Sequence, residues 1–331
     1  MAKYSIEDTT LTNIADAIRS KTGDDATLKP GDMPTAIEGI ETGGGDISEY
    51  FKTSGFINPS NYGPVLHDQC VIKLPNELDT SNLTTFAYAF KYCESFNIPK
   101  MDTSNGTSFS EMFYYCSNIK AIPQIDTSKG TNFADMFGYC ENLETVPQLN
   151  TSNGSGSAFS NMFQKCKKLT TIPQIDTSKG TNFTRMFDGS GVVSIPQIDT
   201  SNGTNFYCMF NDCRQLTTIP QIDTSKGANF GNFLLNATSL ENLGGFKDLG
   251  KSYTQKSANY SNYGLGLSSC PKLTHDSLMN IINNLYDLNL TYDVANGGTL
   301  YTQKLTLGAT NLAKLTAEEI AIATDKGWTV S

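Results

Sequence analysis

The segment IPQIDTSKGTNFADMF at 122–137 returns as IPQIDTSKGTNFTRMF at 172–187, as IPQIDTSNGTNFYCMF at 195–210 and as IPQIDTSKGANFGNF at 219–233. Aligned on Asp-Thr-Ser, the copies begin at Asp79, Asp102, Asp126, Asn150, Asp176, Asp199 and Asp223, with steps of 23, 24, 24, 26, 23 and 24 residues. A fixed period in the low twenties is one turn of a solenoid. The long step falls where TSNGSGSAF replaces TSKGTNF, so the two extra residues sit in a Gly/Ser loop, where insertions cost little. One copy cannot bury its own apolar residues, so neighbours must stack. The 331 residues therefore predict one repeat array rather than two ordinary domains.

Within a copy, Phe133, Met136, Phe137 and Cys140 are spaced i, i+3, i+4, i+7, which predicts one face of a short helix. The same spacing recurs at Phe109, Met112, Phe113, Cys116 and at Phe159, Met162, Phe163, Cys166. The following Leu and β-branched residue lead into Pro, which has no amide to give an interior ladder, so a short strand should end or bend there. Each copy thus reads as a short strand, a turn at Asp-Thr-Ser-Lys/Asn-Gly and one or two helical turns. The glycines of that turn, Gly106, Gly130, Gly154, Gly180, Gly203 and Gly227, are expected to supply a positive φ.

Over residues 70–245 this wording resembles the BspA-like leucine-rich repeats of bacterial surfaces, in their MF..C..L..IP.(I/L)DTS variant. The departures are Ser190 at the Cys place, Asn150 at the Asp place and a degenerate last copy, NFLLNATSLENLGGF. The resemblance implies an α/β fold, a leucine-rich-repeat-type right-handed solenoid, and a role in adhesion or recognition rather than catalysis.

The ends differ from the array. In residues 1–42, LTNIADAIRSKTG sets Leu11, Ile14 and Ile18 on one helical face and MPTAIEGI adds Ile37 and Ile40, but some 40 residues are too few for a core of their own. This piece must dock elsewhere, as an attachment module. Residues 43–69 hold a Gly hinge, Gly43 to Gly45, and an expected N-terminal cap. The opening text of residues 1–42, YSIEDTTLTNIADAIRSKTG, resembles a short module that begins tail and tail-fibre-like proteins of phages of Gram-positive bacteria. That likeness implies attachment to other tail or virion proteins, and raises a homotrimer, the usual state of phage fibres, although no heptad seam demands one. Residues 246–331 read as a degenerate repeat and C-terminal cap: an amphipathic helix with Leu278, Ile281, Ile282 and Leu285 inside, then a strand, a helix opened by a Thr316–Glu319 capping box, and a last strand with Trp328.

Charge and residue supply exclude several chemistries. With 24 Lys+Arg against 33 Asp+Glu the net charge is −9, which disfavours nucleic acid and anionic membrane surfaces, and no apolar run is long enough to span a bilayer. The first residues lack the pattern of a secretory signal, so assembly in a bacterial cytoplasm and a place in the virion are expected. Cys70, Cys93, Cys116, Cys140, Cys166 and Cys213 share one repeat position without CxxC pairs, which reads as a buried column of reduced thiols rather than zinc or disulfides. The Asp column could hold calcium, but Asn150 in one copy favours local capping of backbone N–H groups. The Gln of IPQ reads either as a side-chain ladder or as an exposed binding row. His67 and His275 are the only histidines, so no catalytic constellation and no cofactor is expected.

Recognition needs side chains that differ on a constant frame. After Met-Phe the copies read YYC, GYC, QKC, DGS and NDC, so Tyr114, Tyr115, Tyr139, Gln164, Lys165, Asp188, Asn211 and Asp212 hold equivalent places with different chemistry. With Tyr88 and Tyr92 they form the candidate recognition surface, expected to face water; drift at solvated positions is the competing explanation. The leading expectation is a phage tail-associated receptor-binding or host-adhesion protein that contacts a host cell-surface carbohydrate or protein. A bacterial cell-surface BspA-like adhesin and a purely structural virion spacer are the alternatives.

Overall fold

Successive copies lie one on the next, joined by hydrogen bonds between residues 22 to 29 apart in sequence. The computed structural model describes residues 77–78, 80–93, 98–251, 264–290 and 303–331. The expectations placed on Leu11, Ile14, Ile18, Ile37, Ile40, Cys70 and His67 fall outside these residues. The described part is mixed α/β, with short strands, few helices and no closed barrel.

The Phe-Met-Phe-Cys residues are fully buried, but no helix carries them. They sit on linked four-residue turns: the Met112 amide donates to Phe109 O, Tyr114 to Glu111 O and Cys116 to Phe113 O. The alternate amides leave the copy altogether, Phe113 N donating to Met136 O at 2.9 Å and Tyr115 N to Gly138 O at 2.8 Å. Beyond its first turn a helix spends its amides within its own segment and has none left for a neighbour. Here stacking claims half of them, and the spacing i, i+3, i+4, i+7 is reproduced by turns that point the same side chains inward.

Two ring columns fill the interior. Phe86, Phe109, Phe133, Phe159, Phe183, Phe206 and Phe230 stack with centroids 5.0 to 6.5 Å apart. The widest step, Phe133 to Phe159, spans the copy with the Gly/Ser insertion. Phe90, Phe113, Phe137, Phe163, Phe187 and Phe210 form the second column at 5.5 to 5.8 Å. The thiol column is tied to the second of them: Cys116 Sγ donates to Phe90 O at 2.8 Å and Cys140 Sγ to Phe113 O at 2.9 Å. Every described cysteine is buried and keeps its thiol rather than forming a disulfide. Burial pushes the Cys116, Cys140, Cys166, Cys213 and Cys270 thiols up, that of Cys213 to about 12, so they pack as small apolar groups.

The expected positive φ at the turn glycines is not there. Positive-φ glycines are Gly156, Gly189, Gly245, Gly250, Gly308 and Gly327, and none of the six turn glycines is among them. A Cβ on Gly130 would instead stand 2.6 Å from Phe133 Cζ, and one on Gly203 2.4 Å from Phe206 Cζ. These glycines are required by the ring column, which passes directly over the backbone.

The strand expected to lead into Pro shrinks to isolated parallel bridges through most of the array, such as Ala121 with Thr145 and Ser194 with Thr218, and past Pro side chains join the copies. Gln124 Nε2 donates to Gln148 O at 2.9 Å and to Ile125 O at 3.1 Å, and Gln148, Gln174 and Gln197 repeat this lock on the next copies. Thr127 Oγ1 donates to Asn150 O at 2.9 Å and accepts from Asn150 N at 2.8 Å, so one hydroxyl satisfies both backbone groups of the residue above. Thr80, Thr103, Thr151, Thr177, Thr200 and Thr224 repeat the donation. Paired strands of two residues form at the ends, where Glu77 and Lys100 stand in the Gln place and where Gly245 receives the amide of Ile222. There β1 (Glu77–Leu78) pairs with β2 (Lys100–Met101), β3 (Thr218–Ile219) with β5 (Asn242–Leu243), and β4 (Ile222–Asp223) with β6 (Phe246–Lys247), all parallel.

The C-terminal end follows its sequence. A parallel sheet of β7 (Gly264–Gly266), β8 (Gln303–Thr306) and β9 (Trp328–Val330) packs with α1 (His275–Asn283), α2 (Ala309–Leu312) and α3 (Ala317–Asp325). Leu278, Ile281, Ile282 and Leu285 are buried, and α3 opens on the Thr316–Glu319 capping box.

Candidate functional site

The turns after each Phe put two residues per copy in the left-handed region. One set is Tyr88, Glu111, Asp135, Asn161, Arg185, Cys208 and Asn232, with φ between 52° and 64°; the other is Tyr92, Tyr115, Tyr139, Lys165, Gly189, Asp212 and Asn236, between 57° and 66°. Each is the third residue of its turn, a place that favours Gly or Asn. Gly189, Asn161, Asn232, Asn236, Asp135 and Asp212 suit it. Tyrosine does not, at about 1 kcal/mol or more each.

The tyrosines nonetheless gather into one cluster. Tyr115 stacks on Tyr139 with centroids 4.2 Å apart and on Tyr92 at 5.4 Å, while Tyr114 meets Tyr92, Tyr115 and Tyr139 edge-on at 6.0, 4.8 and 5.6 Å. Lys91 Nζ lies about 5 Å from the rings of Tyr88, Tyr92 and Tyr114 and pairs with Glu111. Tyr92 and Tyr115 are 36% and 40% exposed, which leaves open ring area at the surface. Burial first and then the nearby Asp135 carboxylate push the Tyr114 phenol up, so it stays a neutral donor.

The same two columns continue into a polar end. Asp188 receives Gln164 Nε2 at 2.8 Å and Asn211 Nδ2 at 2.7 Å, with Lys165 Nζ at 3.5 Å. Lys165 also stands 4.0 Å from Asp212, whose other partner is Arg214. Gln164 and Asp188 were expected to face water and do not: they are 8% and 4% exposed. The reason is local. Bare Gly189 leaves the ground that the Lys165 side chain covers, a Cβ there falling 2.4 Å from Lys165 Nζ, and the buried carboxylate is satisfied from three sides. The structure thus splits the candidates into an aromatic cluster (Tyr88, Tyr92, Tyr114, Tyr115, Tyr139) and a polar network (Gln164, Lys165, Asp188, Asn211, Asp212).

On another part of each copy the Asp column caps turns. Asp126 Oδ1 accepts the Ser128 amide at 2.8 Å, with the same bond at Asp102, Asp176, Asp199 and Asp223, and Asn150 does it without charge. The Ser128 backbone and hydroxyl hold the Asp126 carboxyl below its usual range, and Ser178 does so for Asp176. Among the described residues no group of three or more His, Cys, Asp or Glu is placed to hold a metal ion. His275 pairs with Glu319 at 2.8 Å, which joins α1 to α3.

Sequence reasoning missed Lys91 and Glu111, which order the tyrosines, and the Thr column. Both carried a signal. Asp, Asn and Gly recur at two places four residues apart inside the supposed helix, and Thr follows Asp in every copy without variation.

A family model described as "Mycoplasma protein of unknown function, DUF285" matches residues 72–150 and 157–262. The break between the two matched stretches falls on the Gly/Ser insertion of the long step. No curated protein matches the chain.

Proposed function

The chain belongs to the family described as Mycoplasma protein of unknown function, DUF285, and from that membership in a repeat family, together with its left-handed tyrosines, we propose a non-catalytic recognition protein. Its copies build a leucine-rich-repeat-type right-handed solenoid that presents the Tyr92–Tyr115–Tyr139 cluster to a carbohydrate or protein of a host cell surface. Residues 1–42 attach it to other proteins of a phage tail. The observation that carries this reading is the placing of four tyrosines at φ near 60°, where the other copies use Gly, Asn or Asp at six places and Glu111, Lys165, Arg185 and Cys208 at the remaining four. Strain of about 1 kcal/mol per residue roughly cancels the 0.5–1.5 kcal/mol or so expected from each ring pair. Folding alone therefore gains nothing from tyrosine there, and contact with a partner does.

The test is the double variant Tyr115→Asn/Tyr139→Asn. Its stability should stay within about 1 kcal/mol of the parent, while binding of the full chain to host cells should fall at least tenfold. Undiminished binding would make the array a spacer. The tail placement predicts that purified particles carry the protein and that removing residues 1–42 abolishes its incorporation. A second reading, a bacterial cell-surface BspA-like adhesin, is favoured by the family's description, which names a bacterium and no virus. Surface labelling of intact, uninfected cells would select it.

A further inference from the structure

A groove of about 1290 Å³ runs along the Gln-Ile-Asp-Thr-Ser segments of five consecutive copies, from Gln124 to Gln221, with Lys247 at one end. None of the tyrosines lines it. Its volume exceeds that of an ordinary small-molecule site, and its length over four stacking steps of about 5.6 Å is roughly 22 Å. The occupant it fits is an extended chain.

The chemistry of the lining selects the kind of chain. Both amide hydrogens of Gln124, Gln148, Gln174 and Gln197 are spent on backbone carbonyls, so each of these side chains offers the groove its Oε1, an acceptor. The Asp126, Asp176 and Asp199 carboxylates use Oδ1 on a Ser amide and present Oδ2, again an acceptor. The one cation of the lining, Lys247, is paired with Asp223 at 2.9 Å. A surface of acceptors with negative charge repels phosphates, sulfates and uronic acids and matches a ligand rich in hydroxyl donors. No aromatic ring lines it, so binding depends on rows of hydrogen bonds repeated from copy to copy.

We propose that this groove is a second binding site, separate from the tyrosine cluster, which takes an unbranched neutral glycan along the stack. The inference does not rest on the host-adhesion reading. Affinity electrophoresis of the full chain through gels that contain a neutral β-glucan, mannan or galactan tests it, with poly-lysine as the basic-peptide probe in parallel. At least one neutral polysaccharide should retard the protein, equally at about 50 and about 500 mM salt, since no charge pairing is involved. Ser128→Tyr/Ser178→Tyr fills the groove while leaving the turn amides in place, and should weaken retardation at least tenfold with an unchanged circular dichroism melt. Tyr115→Asn/Tyr139→Asn should leave retardation intact, so failure of the adhesion reading and failure of this one are told apart. The proposal is overturned if no neutral polysaccharide retards the chain, if only poly-lysine binds and does so in a salt-sensitive way, or if the tyrosine variant rather than the groove variant loses retardation.

Discussion

Gly130→Ala separates two reasons for a conserved-looking glycine within one chain. The Cβ would meet Phe133 Cζ at 2.6 Å, Phe133 Cε1 at 2.8 Å and Phe109 Cδ2 at 3.0 Å. Carbon atoms rest at about 3.5–4.0 Å, so the Phe133 ring would have to retreat by roughly 1 Å. It has nowhere to go: it is fully buried between Phe109 at 5.8 Å and Phe159 at 6.5 Å. Overpacking of this kind costs about 1–3 kcal/mol, and the tight stack puts the expected loss near 2. Phe133→Leu alone leaves a void and costs about 1–2 kcal/mol. Leucine lacks the outer ring atoms that clash, so the double variant should lose less than the sum, with a coupling of about 1–2 kcal/mol. Urea unfolding followed by far-ultraviolet circular dichroism measures all four corners. If Gly130 were needed for backbone conformation, the alanine penalty would persist beside leucine, and additivity within about 0.5 kcal/mol would refute the packing argument.

Thr127→Val should cost about 1–2 kcal/mol, because it removes the partner of both backbone groups of Asn150 at a part-buried place, whereas Thr127→Ser should cost under about 1 kcal/mol in the same urea titration. Asp135→Asn should raise the melting temperature at neutral pH. Burial lifts the Asp135 pKa in the folded chain, so its contribution is complete below the unfolded value of about 4 and is lost as pH rises through the folded one. The gain from Asn should accordingly vanish in melts run below about pH 4, and a constant gain at all pH values would rule out the charge as its cause. Asp126 and Asp176, with lowered values, act in the opposite sense: their stabilisation is present above about pH 4 and is lost as pH falls through the folded value. The buried thiols should react with a disulfide reagent only as fast as the chain opens; prompt labelling of the native protein would show the column to be accessible.

The Asp column shows how far local text reaches. An Asx turn involves residues two apart, so Asn150 in place of Asp was enough to identify capping, and the Ser amides are found on the Oδ1 atoms. The C-terminal helices are as local: the capping box and the buried Leu278, Ile281 and Ile282 were readable from spacing. The aromatic half of the candidate surface was legible because it breaks the repeat, while Lys91 and Glu111 were not, since their value lies in reaching rings of a neighbouring copy. Gln164 and Asp188 were misplaced for the same reason. Their burial is created by Asn211, Lys165 and bare Gly189 from adjacent copies.

The sequence by itself determined the period and the identity of the interior rows, because each is a property of one copy or of its recurrence. Tertiary structure decided what each copy becomes. A lone segment with Phe, Met, Phe and Cys at helical spacing would close its amides on itself. Stacked 5 to 6 Å from its neighbours, it gives half of them away and folds as turns. The glycines then answer to a ring in the stack rather than to their own φ, and past Pro the Gln and Thr side chains bridge one copy to the next.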